Sequence, residues 1–540
     1  MSFFSILRKP DSVIGATEST PFRFEETGQE NCPVKYDYNI ENGACKLTVY
    51  PSGSPVKYLK LRFNGELNFV DKVLGDQWER SGLKAFIEWR SVMAHRVLPW
   101  FCYLIGDNTT ACYGVKVQPN ALCYFQVDTH GITLFVNLCC GNEGADIKEP
   151  IVACEVVELI GKKGQDPYDV AFEFAKLMSP NPILPKSPVY GVLDWYWAYG
   201  NTSENIVLKE ADDLVNLCKG FKNPPYVIVD DGWQKSREEY KELPDYIGGP
   251  WNQFNSRHPN FDKLPEKLHK KGVKAGLWFR PLLTKGEIPA EATLFNDGEG
   301  IVLDPSHPFT LNRVYEDAKR FASWGFDLLK HDFTVIDGTR IYNCSSDKDS
   351  IFMVSDKIKF YDKTKTTAMI FKDLYKAIQN GFSGDVMACN AFSHLSAGIH
   401  SIYRVGDDNS GHAFEWTRRD GINSFMRLPT NNAFYLCDPD VGTFTKKTPS
   451  KPNLDFLEAC ALTGMTCLAS ITPNILTEED KKELSRIFKI ASEGGKNYKI
   501  VNFDKNANPE EFISPNGKDY IRFDWDKHYN GSRNLVDWFD

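Results

Sequence analysis

No stretch of this chain runs to about 20 consecutive apolar residues, so no segment reads as a membrane-crossing helix. It has no block of lysine and arginine either, and its formal net charge is -9, which argues against a nucleic-acid groove or an anionic membrane surface as partner. The start, Met1-Ser2-Phe3-Phe4-Ser5-Ile6-Leu7-Arg8-Lys9, lacks a charged opening followed by a sustained apolar region and does not read as a signal peptide. Metal signatures are missing as well. The 14 cysteines and 10 histidines form no C-x-x-C, H-E-x-x-H or H-x-H pattern, and there is no D-x-D-x-D-G loop. Neither a metal nor a cofactor is therefore expected. Cysteines such as Cys389, Cys437 and Cys467 sit in apolar runs and read as reduced core residues, which points to a cytoplasmic protein. Internal repeats and low-complexity segments are absent.

What is present is apolar material in quantity. A chain of 540 residues that is 42% hydrophobic and 13% aromatic has room for about three domains, or one barrel with accessories. Residues 1–182 show strand grammar: Ile132, Leu134, Val136 and Leu138 keep a period of two, and a helical stretch from Tyr168 to Met178 leads into the proline-rich Ser179-Pro180-Asn181-Pro182. Residues 183–493 alternate apolar strands with amphipathic helices, the pattern of a parallel α/β architecture. Strand ends fall near Asp194, Asp230, Trp278, Lys330, Cys389, Tyr403, Cys437 and Ser470, which is the barrel number of eight. Helices are expected over Ser203 to Lys219, Leu311 to Trp324 and Thr366 to Asn380, with Gly220, Gly325 and Gly381 as stops. Residues 494–540 return to short strands. The expected fold is α/β: a (β/α)8 TIM barrel preceded by an all-β region and followed by a small β element.

The strand exits carry the chemistry. In Leu328-Leu329-Lys330-His331-Asp332 an apolar run breaks into polar residues, with Lys330 two positions before Asp332 and so on the same face. The ammonium favours the ionised carboxylate, as a nucleophile requires. A helix-capping Asp332 beside a structural ion pair is the competing reading. Further acids stand at other exits: Asp194, Asp230-Asp231, Asp407-Asp408, Asp438 and Asp440, with Trp195, Trp233, Trp251 and Trp278 among them. Carboxylates that accept from hydroxyls, interleaved with flat apolar rings, suit a sugar, and a glycosidase needs two carboxylates for its chemistry.

In order, Gly191-Val192-Leu193-Asp194-Trp195, Val229-Asp230-Asp231-Gly232-Trp233-Gln234, Gly276-Leu277-Trp278, Lys330-His331-Asp332, Arg404-Val405-Gly406-Asp407-Asp408-Asn409 and Asp438-Pro439-Asp440 resemble the α-galactosidase clan, glycoside hydrolase families 27 and 36. The likeness is greatest to family 36 and its raffinose-synthase-type relatives, whose N-terminal β-sandwich the all-β region also resembles. The resemblance implies Asp332 as nucleophile with Lys330 beside it, and Asp408 as acid/base with Arg404 as a substrate-binding arginine. It further implies that Asp230 and Asp231 bind the 4- and 6-hydroxyls of a galactose ring, that Trp195 stacks on it, and that Trp278 and Asp440 lie near it.

Two positions depart from the clan. Asn390, after strand five, is expected to meet the 2-substituent of the ring, which leaves galactose versus N-acetylgalactosamine open; arabinopyranose stays open as well. Arg280 stands where many family 36 members carry an acid. The expected activity is retaining removal of terminal α-linked galactose, with Asp407 and Asp332 raising the pKa of Asp408 by like-charge repulsion. Three alternatives stay open: an α-N-acetylgalactosaminidase, an enzyme that hands galactose to a sugar acceptor, and a carbohydrate-binding protein without turnover. The partner expected is a carbohydrate; the oligomeric state, a homo-oligomer included, is not fixed by sequence.

Overall fold

The computed structural model describes residues 2–20, 32–80, 87–94, 96–239, 247–296, 298, 300–341 and 353–525. Its N-terminal part is two antiparallel sheets. One runs in the order Ser12–Thr17, Val56–Asn64, Gly131–Asn137, Leu122–Asp128, Leu98–Pro99. The other runs Tyr36–Glu41, Ala44–Val49, Ile151–Ile160, Thr109–Val115, Phe101–Gly106, Val70–Gly75. Alternation fits one face turned inward: Leu47 and Val49 are buried while Lys46 between Cys45 and Leu47 is exposed. Both sheets contribute to one hydrophobic cluster that continues into the rest of the molecule.

The central sheet is wholly parallel and holds β1 (Tyr190–Leu193), β2 (Tyr226–Val229), β3 (Lys274–Phe279), β4 (Leu328–His331), β5 (Asp385–Ala388), β6 (Ile402–Arg404), β7 in two pieces (Leu436–Asp438 and Val441–Phe444) and β8 (Cys467–Ile471). The break in β7 closes the barrel. Its first piece pairs with β6, and its second pairs with β8, which pairs in turn with β1. Pro439 lacks a donor and Asp440 takes a left-handed φ of 72°, so the ladder cannot run through, and the strand turns from one neighbour to the other. Strands β1, β2 and β4 are buried end to end and β5 along three of its four residues, and they show no alternation because a barrel strand has packed side chains on both sides.

Outer helices follow their apolar stripes. Helix Glu204–Leu217 buries Val207, Ala211 and Leu214, and the Ser203 side chain caps it by accepting from Ile206 N. Helix Pro308–Trp324 stops at Gly325, whose φ of 98° is left-handed. Gly381 is a different case. It is the last residue of helix Thr367–Gly381 rather than a stop beyond it, and a Cβ there would lie 2.4 Å from the carbonyl oxygen of Tyr315. Glycine at this position lets the two helices approach, which is a packing requirement and not a turn. After helix Glu478–Ser492 comes a three-stranded antiparallel sheet of Lys499–Ile500, Glu511–Ile513 and Tyr520–Arg522. The described cysteines are all free, and no helix of the described residues is long and apolar enough to cross a membrane.

Candidate active site

At the exit of β1 and β2 the chain turns tightly. Asp194 Oδ1 accepts from Asp230 N at 2.8 Å, and Asp230 Oδ1 accepts from Asp231 N at 2.9 Å. Gly232 makes the turn at φ 120°, where a Cβ would stand 2.5 Å from Gly200 O, so the two aspartates are placed by a residue that has to be glycine. Asp231 Oδ1 accepts from Gln234 Nε2 at 2.6 Å. Burial and the neighbouring Asp230 push Asp194 up to about 7.

From β4, Lys330 Nζ donates to Asp230 Oδ2 at 2.7 Å, and both side chains are buried. Burial pulls the ammonium down, but Asp230 and Asp332 outweigh it and hold it above its ordinary value. Asp332 Oδ1 accepts from the next residue's N–H, that of Phe333, at 2.7 Å, and Oδ2 accepts from Trp278 Nε1 at 3.3 Å. Asp332 is thus held from both oxygens, and the helix Thr334–Thr339 that follows receives no side-chain cap from it.

From β6, Arg404 Nη2 donates to Asp408 Oδ1 at 3.0 Å and to the Asp407 carbonyl at 3.1 Å, and it pairs with Asp440. Asp440 Oδ2 also accepts from Tyr196 Oη at 2.6 Å and from Asn409 N at 2.7 Å, and burial pushes its carboxyl up to about 6. Asp408 alone among these acids projects into open space, its side chain 52% accessible against 5% for Asp407. It is nevertheless ringed by cations. Burial raises it, but Arg80, Arg404 and Lys330 prevail and bring it down to about 2. The like-charge lift expected from Asp407 and Asp332 is reversed, because two guanidiniums share one of its oxygens. Asp407 carries the upward shift instead, through burial.

Two other expectations change. Trp233, Trp251 and Trp278 form a buried cluster, with ring centroids 5.8 Å apart from Trp233 to Trp251 and again from Trp251 to Trp278. They are core, and Trp278 meets the site through its N–H alone. Trp195 keeps an accessible part of its ring, standing edge-on to Tyr199. Asn390 is 1% exposed and is engaged inside the protein: Nδ2 donates to Glu79 Oε2 at 2.5 Å and Oδ1 accepts from Ile336 N at 3.1 Å. It holds the start of the helix behind Asp332. Asn390→Ala is expected to lower stability by about 1–3 kcal/mol, the cost of stranding buried polar partners, while leaving the preference between 2-hydroxyl and 2-acetamido sugars unchanged; denaturant titration and paired kinetics check both. Arg280 binds Asp337 with two donors, at 2.9 and 2.6 Å, and lies 4.1 Å over the Phe333 ring. It is a half-buried ion pair at the edge of the site.

Among the described residues no three His, Cys, Asp or Glu side chains are grouped to hold a metal ion. The acids are balanced by Lys330, Arg404 and Arg80.

No family model matches the chain. A segment of 163 residues is 25% identical to α-galactosidase 2 of Arabidopsis thaliana, and one of 149 residues is 28% identical to an α-galactosidase of Oryza sativa subsp. japonica. Over these segments the chain is similar to α-galactosidases. These matches cover 30% and 28% of this chain and 35% and 30% of the relatives, so it spans about a third of the length of the curated relatives it matches. The fold agrees over far more. TtGalA, an α-galactosidase from Thermus thermophilus solved with p-nitrophenyl α-D-galactopyranoside, superposes with a TM-score of 0.58 at 16% identity, over 90% of this chain and 95% of that one. The family 36 α-galactosidase AgaA from Geobacillus stearothermophilus gives 0.57 at 15% identity, over 89% and 71%.

The sequence alone does not show that the N-terminal sheets reach the site. Glu79 and Arg80 lie just beyond strand Val70–Gly75, and Arg80 Nη1 donates to Asp408 Oδ1 at 2.7 Å. The available signal was the polar run Asp76-Gln77 and Glu79-Arg80 around Trp78, dense in charge for the end of an apolar strand.

Proposed function

We propose that the protein is a retaining, exo-acting glycoside hydrolase that removes a terminal α-linked galactose from oligosaccharides or glycoconjugates. The observation that carries this reading is the pairing of Asp332 and Asp408 at the exits of β4 and β6, in the shared field of Lys330 and Arg80. Asp332 is held at both oxygens in one orientation, as a nucleophile must be, and Asp408 is exposed to whatever enters. Asp332 attacks the anomeric carbon to form a glycosyl ester as the C1–O bond to the leaving group breaks, the electron pair going to the departing oxygen, which Asp408 protonates. Asp408 then takes a proton from water, which releases the sugar with retained configuration. Asp230, Asp231, Lys330 and Arg404 supply hydrogen-bonding partners for ring hydroxyls, Asp440 orients Arg404, and Trp195 offers a face for the ring. Within this reading residues 1–182 form the sandwich, 183–493 the catalytic barrel and 494–540 a terminal β element.

The test is a panel of aryl α-galactoside, α-N-acetylgalactosaminide and β-L-arabinopyranoside, with the anomer first released followed by proton NMR. The α-galactoside is expected to turn over with the α-anomer appearing first. No turnover of any of the three refutes the reading in favour of a binding protein. A second reading is transfer of galactose to a sugar acceptor, whose hydroxyl a carboxylate at Asp408 deprotonates as it does water. Product analysis with and without added sucrose or another sugar separates transfer from hydrolysis.

A further inference from the structure

The Asp408 side chain is 52% accessible, yet its Oδ1 is taken twice, by Arg80 Nη1 at 2.7 Å and Arg404 Nη2 at 3.0 Å. Arg404 belongs to the barrel. Arg80 arrives from the sandwich, 328 positions away in sequence, with its side chain only 3% exposed. Its Nε lies 3.3 Å from Asp407 Oδ1, and Nη1 also lies 3.3 Å from Cys389 Sγ. The segment that carries it is pinned. Arg427 Nε donates to Asp76 Oδ1 at 2.6 Å and Nη2 to the Glu79 carbonyl at 2.5 Å, while Ser393 N donates to the Trp78 carbonyl at 3.1 Å. Trp78 itself packs edge-on against Trp100 and Phe392. Arg80 is therefore a fixed charge and not a surface side chain that happened to fold inward.

The surroundings of Asp408 come from six directions. Cations face it from the Arg80 segment, from β6 (Arg404) and from β4 (Lys330). Anions face it from the β6 exit (Asp407), from β7 (Asp440) and from the turn at residues 417–421 (Asp420), and Tyr196 from the β1 exit offers its hydroxyl. Of the three acids, burial raises Asp407, Asp440 and Asp420 alike, which weakens their opposition to the cations.

We propose that Arg80 is a positioning residue that keeps Asp408 negatively charged in the resting enzyme, so that Asp408 works better as the base of the second half-reaction than as the acid of the first. This rests on the galactosidase reading above. In the first half-reaction the C1–O bond breaks as Asp332 forms its ester, and the electron pair goes to the departing oxygen. That oxygen needs a proton from Asp408 unless it is stable as an anion. In the second, Asp408 takes the proton of an incoming water or sugar hydroxyl as its oxygen bonds to C1, and Asp332 leaves as a carboxylate. A carboxylate bound by two guanidiniums is a poor donor in the first step and is already in the form the second requires. Substrates whose leaving group departs unprotonated are thus favoured, and so are acceptors over slow glycosyl-enzyme formation.

The experiment measures kcat/KM for a series of α-galactosides from dinitrophenyl through p-nitrophenyl and phenyl to methyl, with pH profiles, in the wild-type protein and in Arg80→Met and Arg80→Lys. The wild type is expected to lose rate steeply as the leaving group worsens. Arg80→Met is expected to move the basic limb of the profile up by about one pH unit or more and to improve methyl relative to dinitrophenyl galactoside about tenfold, with Arg80→Lys restoring most of the wild-type behaviour. A uniform loss of rate with pH profile and leaving-group slope unchanged makes Arg80 merely structural and overturns the inference. A shallow leaving-group slope in the wild type overturns it without any variant. If the wild type turns over none of the series, the galactosidase reading falls first, and this inference with it.

Discussion

Asp332→Asn is expected to fold like the wild type and to turn over aryl α-galactosides roughly 10⁴-fold more slowly or worse, a loss of about 5.5 kcal/mol in transition-state stabilisation. Folding survives because the amide oxygen can keep the shorter of the two bonds that hold the side chain, the 2.7 Å bond from Phe333 N, and gives up the 3.3 Å bond from Trp278 Nε1. Chemistry does not survive, because a neutral amide cannot form the glycosyl ester. Initial rates and a near-ultraviolet circular dichroism spectrum check the two halves of the statement. A second form of the experiment replaces Asp332 with glycine and adds azide, which enters the vacated space and should yield the β-galactosyl azide with a good leaving group. Full activity in a well-folded Asp332→Asn protein would sink the nucleophile assignment.

Lys330→Met is expected to destabilise the protein by about 3–5 kcal/mol, because it leaves Asp230 as a buried carboxylate without its counter-ion. The two side chains are 6% and 4% exposed, so solvent does little to screen the loss. Denaturant midpoints read it directly, and the double variant Lys330→Met with Asp230→Asn should recover part of the loss, since the pair is removed together. The sign with pH is fixed by the direction of the shift. The folded-state pKa of Lys330 lies above its unfolded value, so the contribution is complete below about 10.4 and is lost only as pH rises through the folded value. Midpoints measured from neutral pH up to about 10 should therefore hold a constant wild-type advantage from this pair.

The strand exits were legible because barrel strands end in an abrupt change of character, from Leu328-Leu329 to Lys330, or from Tyr226-Val227-Ile228-Val229 to Asp230. Burial on both faces makes the run continuous, and the polar break marks where the strand leaves the core. Hence the acids at 230, 332, 408 and 440 could be named without coordinates. What lay beyond reach was anything that depends on a second segment arriving. In sequence Asn390 reads as a sugar contact because nothing in the chain order shows what binds its amide, and in the fold Glu79 and Ile336 do. The charge of Asp408 is hidden from sequence for the same reason, since the cation that lowers its carboxyl most, Arg80, comes from a different sheet's end. Trp233, Trp251 and Trp278 look identical in sequence to exposed platforms, and only packing shows them closed. Gly381 read as punctuation when its function is clearance.

The short segment after strand Val70–Gly75 has one more implication. Because Trp78 packs edge-on against Trp100 and Phe392 and Arg80 bonds to Asp408, the first third of the chain is not an appendage to a self-sufficient barrel. Any attempt to shorten this protein to its barrel, or to graft the barrel onto a foreign partner, would remove the guanidinium that binds Asp408, and an engineer would have to carry those few residues across the seam.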